Sequence, residues 1–174
     1  MGTVDLYYKI PETSVSAEVM YIRAKTAPKD SWKDYYNFKA LAVQDDWVVD
    51  PWLKDLYTMH PFTLGIIKLE ENTYYDWHID TDRGVGLNLL LNNWDKSHCM
   101  FARDYNTLNT ISNKFIELKY EPQTYYLFNT QVAHTVYNFK DTRYLLSVDF
   151  EERKDKLNYK MLLKELLFHR WWEK

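Results

Sequence analysis

Tyr74-Tyr75-Asp76-Trp77-His78-Ile79-Asp80 reads as a strand, rich in aromatic residues and closed off upstream by the polar break Glu70-Glu71-Asn72. The same texture recurs at Phe62–Leu69, Val85–Leu91, His98–Asp104, Lys114–Tyr120, Thr124–Phe128, Ala133–Asn138 and Arg143–Phe150. Asn92-Asn93 and Lys140-Asp141 provide further breaks. Eight short strands at this spacing predict a mainly β fold, a double-sheet jelly roll. No long helical pattern separates them, which argues against a parallel βαβ architecture.

Helices flank this β region. Asp30 or Ser31 is placed to cap a helix through Trp32, Tyr35, Tyr36, Phe38, Leu41 and Ala42, whose spacing is helical. Asp50-Pro51 marks the start of a short helix ending near His60-Pro61. From about Asp155 to Lys174 the pattern is again helical, with Leu157, Met161, Leu162, Leu166 and Leu167 on one apolar side and Trp171 and Trp172 at its end. Packing on the outside of the sheet is the simplest use of that helix; dimerisation is the alternative. The 174 residues fit one domain: a mixed support over 1–61, a β core over 62–150 and a C-terminal helix over 151–174.

Composition narrows the function. Seven Trp, 15 Tyr and 8 Phe against 4 Gly favour strands and an aromatic-lined interior. A net charge of −3 gives no reason to expect a nucleic-acid partner. The single cysteine, Cys99, excludes an intrachain disulfide and fits a reducing compartment. No apolar run approaches the ~18 residues that span a bilayer, and Met1–Ile10 lacks a signal-peptide layout. The expectation is a soluble cytoplasmic protein.

The chemistry lies in His78-Ile79-Asp80. In an extended strand, residues two apart project to one face, so His78 and Asp80 offer two metal ligands together. The motif alone is a weak signal, but His134 follows on its own predicted strand and Arg143 begins the next. A turn near Phe139–Thr142 would set His134 and Arg143 near each other, placing a guanidinium suited to bidentate carboxylate binding beside the third ligand. Two imidazoles and a carboxylate on one face of an octahedral ion leave three positions open, as in non-haem Fe(II) oxygenases. The alternative is a surface His–Asp pair, a core histidine and a salt-bridged strand end. His60, His98 and His169 have no partner at ligand spacing.

The set His78-x-Asp80, His134 and Arg143 resembles the His-x-Asp…His…Arg pattern of the Fe(II)/2-oxoglutarate-dependent oxygenases, whose core is a double-stranded β-helix. The stretch from His78 to Leu91 looks most like bacterial and viral members related to aspartyl/asparaginyl β-hydroxylases and prolyl hydroxylases. The resemblance covers roughly residues 62 to 150. It implies that His78, Asp80 and His134 ligate Fe(II), that Arg143 binds the distal carboxylate of 2-oxoglutarate, and that O₂ takes the remaining position. It further implies hydroxylation of an amino-acid side chain, free or in a peptide or protein, with succinate as co-product. The presence of Asp80 departs from aspartyl hydroxylases that lack the carboxylate and argues against a halogenase. Arg143 departs from prolyl hydroxylases that use lysine.

Further candidates follow from that frame. Asn88, Ser147 and Tyr126 are placed to assist in binding 2-oxoglutarate, the alternative for each being a core position. Arg83 and Trp94 are candidate substrate contacts, and Tyr75 and Trp77 candidate pocket lining, the alternatives being a solvated face for Arg83 and aromatic packing for the other three. Two other functions remain open. One is a jelly-roll metalloenzyme, zinc or iron, that does not use 2-oxoglutarate and leaves Arg143 without a purpose. The other is a non-catalytic interaction module.

Overall fold

A computed structural model describes residues 3–44, 50–102 and 114–173. Along them run β1 (Tyr7–Thr13), α1 (Ala17–Thr26), β2 (Lys33–Tyr35), β3 (Phe38–Ala42), α2 (Pro51–Met59), β4 (Phe62–Leu69) and β5 (Thr73–His78). Then come β6 (Gly86–Leu90), β7 (Ser97–Ala102), β8 (Ile116–Leu118), β9 (Thr124–Phe128), β10 (Ala133–Asn138), β11 (Arg143–Phe150) and α3 (Tyr159–His169). The strands form two antiparallel sheets, a large one ordered β1-β9-β6-β11-β4-β3-β2 and a small one ordered β5-β10-β7-β8. This is the jelly roll expected from the strand spacing. Asp104, and Arg103 before it, fall outside the described residues, so the predicted end of the His98–Asp104 strand lies there too.

Alternation along the central strands sorts the interior into two cores. On one face of the large sheet, Ile66, Leu87, Leu89, Tyr125, Leu127, Leu146 and Val148 pack under the helices, against Met20 of α1, Leu53 and Leu56 of α2, and Leu162 and Leu166 of α3. On the other face, Leu90, Tyr126, Phe128 and Leu145 meet Cys99, Phe101 and Leu118 of the small sheet. The polar residues of the site interrupt this second core. Among the described residues no helix is long and apolar enough to cross a membrane.

Three expectations change. The helix predicted through Trp32–Ala42 is instead the hairpin β2–β3, with Tyr35 opposite Phe38 and Tyr36 in the left-handed region at φ 44°. The helical spacing of its aromatics is outweighed by pairing: β3 docks on β4 (Leu41 opposite Ile66) and extends the large sheet. Asp30 and Ser31 lie in a single 3₁₀ turn, Lys29–Ser31. Secondly, the mixed N-terminal support resolves into β1, an edge strand of the large sheet, and α1, a helix covering its core face. Thirdly, α3 starts at Tyr159, after an Asn158 cap that accepts from the Met161 N–H at 3.1 Å. It buries Tyr159, Leu162 and Leu166, while Met161 and Leu167 face outward. Leu157 is buried, as its place on the apolar side predicts, and Trp171 is buried beyond the helix end.

Asp50 does begin α2, but it does not cap that helix. Its buried carboxylate accepts from the Val15 N–H (2.7 Å), the Ser14 hydroxyl (2.8 Å), the Tyr125 hydroxyl (2.9 Å) and the Ser16 hydroxyl. Four donors from two distant segments thus hold the β1–α1 connection and β9 to the start of α2.

His60 is a second buried polar tie. Its two ring nitrogens lie 2.5 Å from Glu152 and 2.7 Å from Glu165, joining the end of α2 to the chain after β11 and to α3. Burial opposes protonation, but hydrogen bonds to the two carboxylates outweigh it and hold the imidazole above its ordinary pKa. A raised folded-state pKa gives a contribution fully present below about pH 6.5 and lost as pH rises through the folded value. The melting temperature is therefore expected to fall from pH 6 to 8.5. In His60→Gln that slope should be shallower; an unchanged slope would remove His60 from the account.

Candidate active site

His78 closes β5, and a bulge aims it. β10 pairs with β5 with Val136 opposite Tyr75 but His134 opposite His78, so β5 spends three residues where β10 spends two. The extra residue turns both Tyr75 and His78 inward, with their rings 4.0 Å apart between centroids. The strand stops there, so simple alternation is not what brings Asp80 beside His78. The chain leaves the sheet, and the Asp80 N–H donates to the Thr130 carbonyl at 3.1 Å. The Gln131 side chain donates to the Asp80 and Arg83 carbonyls at 2.9 and 2.7 Å, and the Thr130 hydroxyl to the Arg83 carbonyl at 2.7 Å. A loop that ends β9 thereby fixes the loop that carries Asp80.

The three side chains converge. Asp80 Oδ1 lies 3.5 Å from His78 Nε2 and 3.8 Å from His134 Nε2. One ligand atom from each residue falls within 4.8 Å of the others. Each histidine fixes its tautomer in the same way: the Nδ1–H points at a main-chain carbonyl two residues upstream, Asp76 at 2.6 Å for His78 and Val132 at 2.8 Å for His134. Both Nε2 lone pairs therefore face the carboxylate, as metal ligands require. Burial, with His78 beside it, pushes His134 down to about 4, so its imidazole is neutral and available at ordinary pH. Two imidazoles and one carboxylate oxygen suit a divalent first-row metal with open positions.

A cavity of about 110 Å³ opens beside this cluster. That far exceeds the roughly 10–15 Å³ a single water needs, so the cavity admits a small ligand. His78 and His134 form one end, and Arg143, Tyr120 and Cys99 the other, with Asn88, Ser147 and Leu145 along the large-sheet wall. Arg143 is 3% exposed, donates from Nε to Ser97 Oγ at 3.2 Å, and lies with its guanidinium 6.0 Å from the Tyr120 ring centroid. No carboxylate among the described residues pairs with it. Burial lowers its pKa, with no anion to offset the effect fully. A buried cation with only neutral neighbours is costly unless the site receives an anion.

The cross-strand register explains the wall. Ser147 on β11 stands opposite Asn88 on β6, which stands opposite Tyr126 on β9. Of this row, Asn88 and Ser147 reach the cavity, whereas the Tyr126 hydroxyl turns to the Lys119 carbonyl at 3.4 Å. The tyrosine that lines the cavity beside Arg143 is Tyr120, whose placement depends on the course of the chain before β9 and leaves no local sequence signal. Arg83 lies at the cavity's edge on Asp80. Trp94 is 38% exposed and directs its indole N–H to the Leu90 carbonyl at 3.2 Å, off the cavity wall. Tyr75 lines the cavity together with Phe38 of the β2–β3 hairpin, a contribution hidden while that segment reads as a helix. Cys99 is buried and its thiol is pushed up to about 12, which leaves it inert.

No family model and no curated protein matches the chain. Solved structures do. A prolyl-4-hydroxylase from Pseudomonas putida is 16% identical, with a TM-score of 0.62 over 87% of this chain and 97% of that one. A prolyl hydroxylase from Trichoplax adhaerens, in complex with a peptide fragment of the hypoxia inducible factor oxygen degradation domain, is 13% identical, with a TM-score of 0.61 over 83% and 82%. HygX from Streptomyces hygroscopicus, with nickel and 2-oxoglutarate bound, is 11% identical, with a TM-score of 0.59 over 84% and 82%. The chain has the fold of the 2-oxoglutarate–Fe(II) oxygenases.

Proposed function

We propose that this protein is an Fe(II)- and 2-oxoglutarate-dependent dioxygenase that hydroxylates an amino-acid side chain, free or in a peptide or protein. The observation that carries this is the pairing of two features in one cavity: a His–Asp–His cluster at one end and, at the other, a buried guanidinium with no carboxylate partner among the described residues. A metal site alone has no use for Arg143. A metal-chelating diacid needs both ends.

In this reading His78, Asp80 and His134 hold Fe(II), and Arg143 takes the distal carboxylate of 2-oxoglutarate. With O₂, that metal and co-substrate supply the oxidant for a C–H bond, and 2-oxoglutarate leaves as succinate and CO₂. The residues of the chain do the rest. The Asp76 and Val132 carbonyls hold the imidazoles as Nδ1–H tautomers. Arg143 neutralises and orients the diacid; Asn88, Ser147 and the Tyr120 hydroxyl offer uncharged hydrogen bonds along its length. Leu145, Val136 and Phe128 keep the cavity dry between them. The peptide held by the Trichoplax adhaerens structure supports a peptide or protein substrate, which would approach past Tyr75 and Phe38.

Succinate release with a panel of free amino acids, peptides, oligonucleotides and lipids tests the proposal. The expected result is Fe(II)-dependent succinate with an amino-acid or peptide substrate. Turnover confined to nucleic acid or lipid would overturn the substrate class. A thermal shift by Zn(II) that is indifferent to 2-oxoglutarate would favour the metalloenzyme that does not use it.

A further inference from the structure

We infer that Arg83 is a positioning residue that restricts Asp80 to one ligating oxygen and so preserves an open position on the metal. The inference rests on the Fe(II)/2-oxoglutarate reading of the site. Asp80 has two oxygens with different surroundings. Oδ1 faces both imidazoles, at 3.5 and 3.8 Å. Oδ2 receives two donors from Arg83, Nε at 2.8 Å and Nη2 at 2.6 Å. The second oxygen is thereby turned away from the ligand cluster.

The coordination count shows why this matters. An octahedral ion with three protein ligand atoms has three free positions, two for a chelating keto acid and one for O₂. A carboxylate free to rotate can bind through both oxygens, as carboxylates do on hard cations. Asp80 would then fill a fourth position and leave none for O₂ once 2-oxoglutarate is bound. A guanidinium fixed on Oδ2 closes that option and also draws negative charge from the ligand.

Arg83 is itself held for this task. Its Nη1 reaches Ser147 Oγ at 3.4 Å and its carbonyl accepts from Thr130 and Gln131, whereas the exposed Asp149, 3.8 Å from its Nε, is beyond hydrogen-bond reach and does not share in the grip. Two of its three nitrogens are committed to Asp80. A substrate contact, the role the sequence suggests for it, would have to compete with that bidentate grip.

The test separates metal binding from access to the open position. Wild type, Arg83→Gln, Arg83→Lys and Asp149→Asn are titrated with Fe(II) under anaerobic conditions. Each is then saturated with 2-oxoglutarate, followed by its visible charge-transfer band, and exposed to nitric oxide as a stand-in for O₂, read by electron paramagnetic resonance. Wild type and Asp149→Asn should give the full nitric oxide signal. Arg83→Gln should hold Fe(II) within about tenfold of wild type yet lose at least about fivefold in nitric oxide signal at saturating metal. Arg83→Lys, a single point donor, should fall between them. A merely structural role for Arg83 would lower stability without changing the signal of the loaded protein. Wild-type signal from both Arg83 variants overturns the inference, and Arg83→Lys alone decides the matter if Arg83→Gln does not fold. A wild-type protein without the 2-oxoglutarate band sinks the functional reading and this inference together; a normal band with undiminished Arg83 variants sinks the inference only.

Discussion

Arg143→Met is expected to abolish the response to 2-oxoglutarate while raising the melting temperature of the ligand-free protein. Both effects come from the same buried charge. Arg143 is nearly inaccessible to water, and its described partners, a serine hydroxyl and a tyrosine ring, are neutral. Removing one partner of a desolvated charge pair loses about 2–5 kcal/mol, which is roughly 30- to 4,000-fold in affinity for the diacid. In the ligand-free protein the same cation is an uncompensated burial penalty, and an unbranched apolar side chain of similar length relieves it. Fe(II) binding should survive, because none of the three ligand side chains touches Arg143. Scanning fluorimetry with Fe(II) alone and with Fe(II) plus 2-oxoglutarate measures all three quantities. An intact 2-oxoglutarate shift in Arg143→Met would remove the co-substrate from the proposed function. Arg143→Lys should recover part of the affinity, since a point charge replaces the planar fork.

The residues that define this site were legible for a particular physical reason. Arg143, Ser147, Asn88 and His134 sit on strands recognisable by their β-branched, aromatic and leucine-rich texture, and the period of two then assigns their faces. Four of the eight predicted strands agree end to end with the structure: Phe62–Leu69, Thr124–Phe128, Ala133–Asn138 and Arg143–Phe150. Where the backbone leaves regular alternation, the sequence falls silent. The bulge that aims His78 is one case. The loop that returns Asp80 through hydrogen bonds to Thr130 and Gln131 is another, because those partners are some fifty residues away. His78 and Asp80 do meet, but by a bulge and a pinned loop instead of shared strand alternation. Tyr126 and Tyr120 show the limit of the face argument: register puts Tyr126 in the row with Asn88, yet its hydroxyl ends on Lys119, and Tyr120 takes the place beside Arg143. The β2–β3 hairpin marks a different failure, since aromatic residues at helical spacing carry no record of the strand β4 that recruits them.

Gly84→Ala should produce the second large effect, on stability and on metal affinity at once, because the loop carrying Asp80 and Arg83 is braced from behind by the C-terminal segment. A Cβ on Gly84 would lie 2.4 Å from the Leu157 carbonyl oxygen, 2.9 Å from Lys154 Cα and 3.0 Å from Asn158 Cα. These are backbone atoms, so no side-chain rotation relieves the clash; the constraint is steric, as the glycine has no positive φ. The two segments are also tied by the Lys154 N–H on the Asp82 carbonyl (2.9 Å), the Tyr159 N–H on the Gly84 carbonyl (3.2 Å) and Arg153 on the Asp82 carboxylate (2.9 Å). An added methyl must push the loop off the segment or the segment off the sheet. Overpacking of this kind destabilises by about 1–3 kcal/mol. Displacing the loop moves Asp80 and its Arg83 clamp together, which should weaken Fe(II) binding by about 10- to 100-fold. Gly65→Ala is the control: its Cβ would meet only the Leu41 carbonyl oxygen, at an ordinary 3.7 Å, and both readouts should stay near wild type. If Gly84→Ala instead melts and binds Fe(II) like wild type, the C-terminal segment only covers the core. If both fall together, the region between β11 and α3 belongs to the scaffold that sets the metal site, which gives α3 a use beyond burying Leu162 and Leu166.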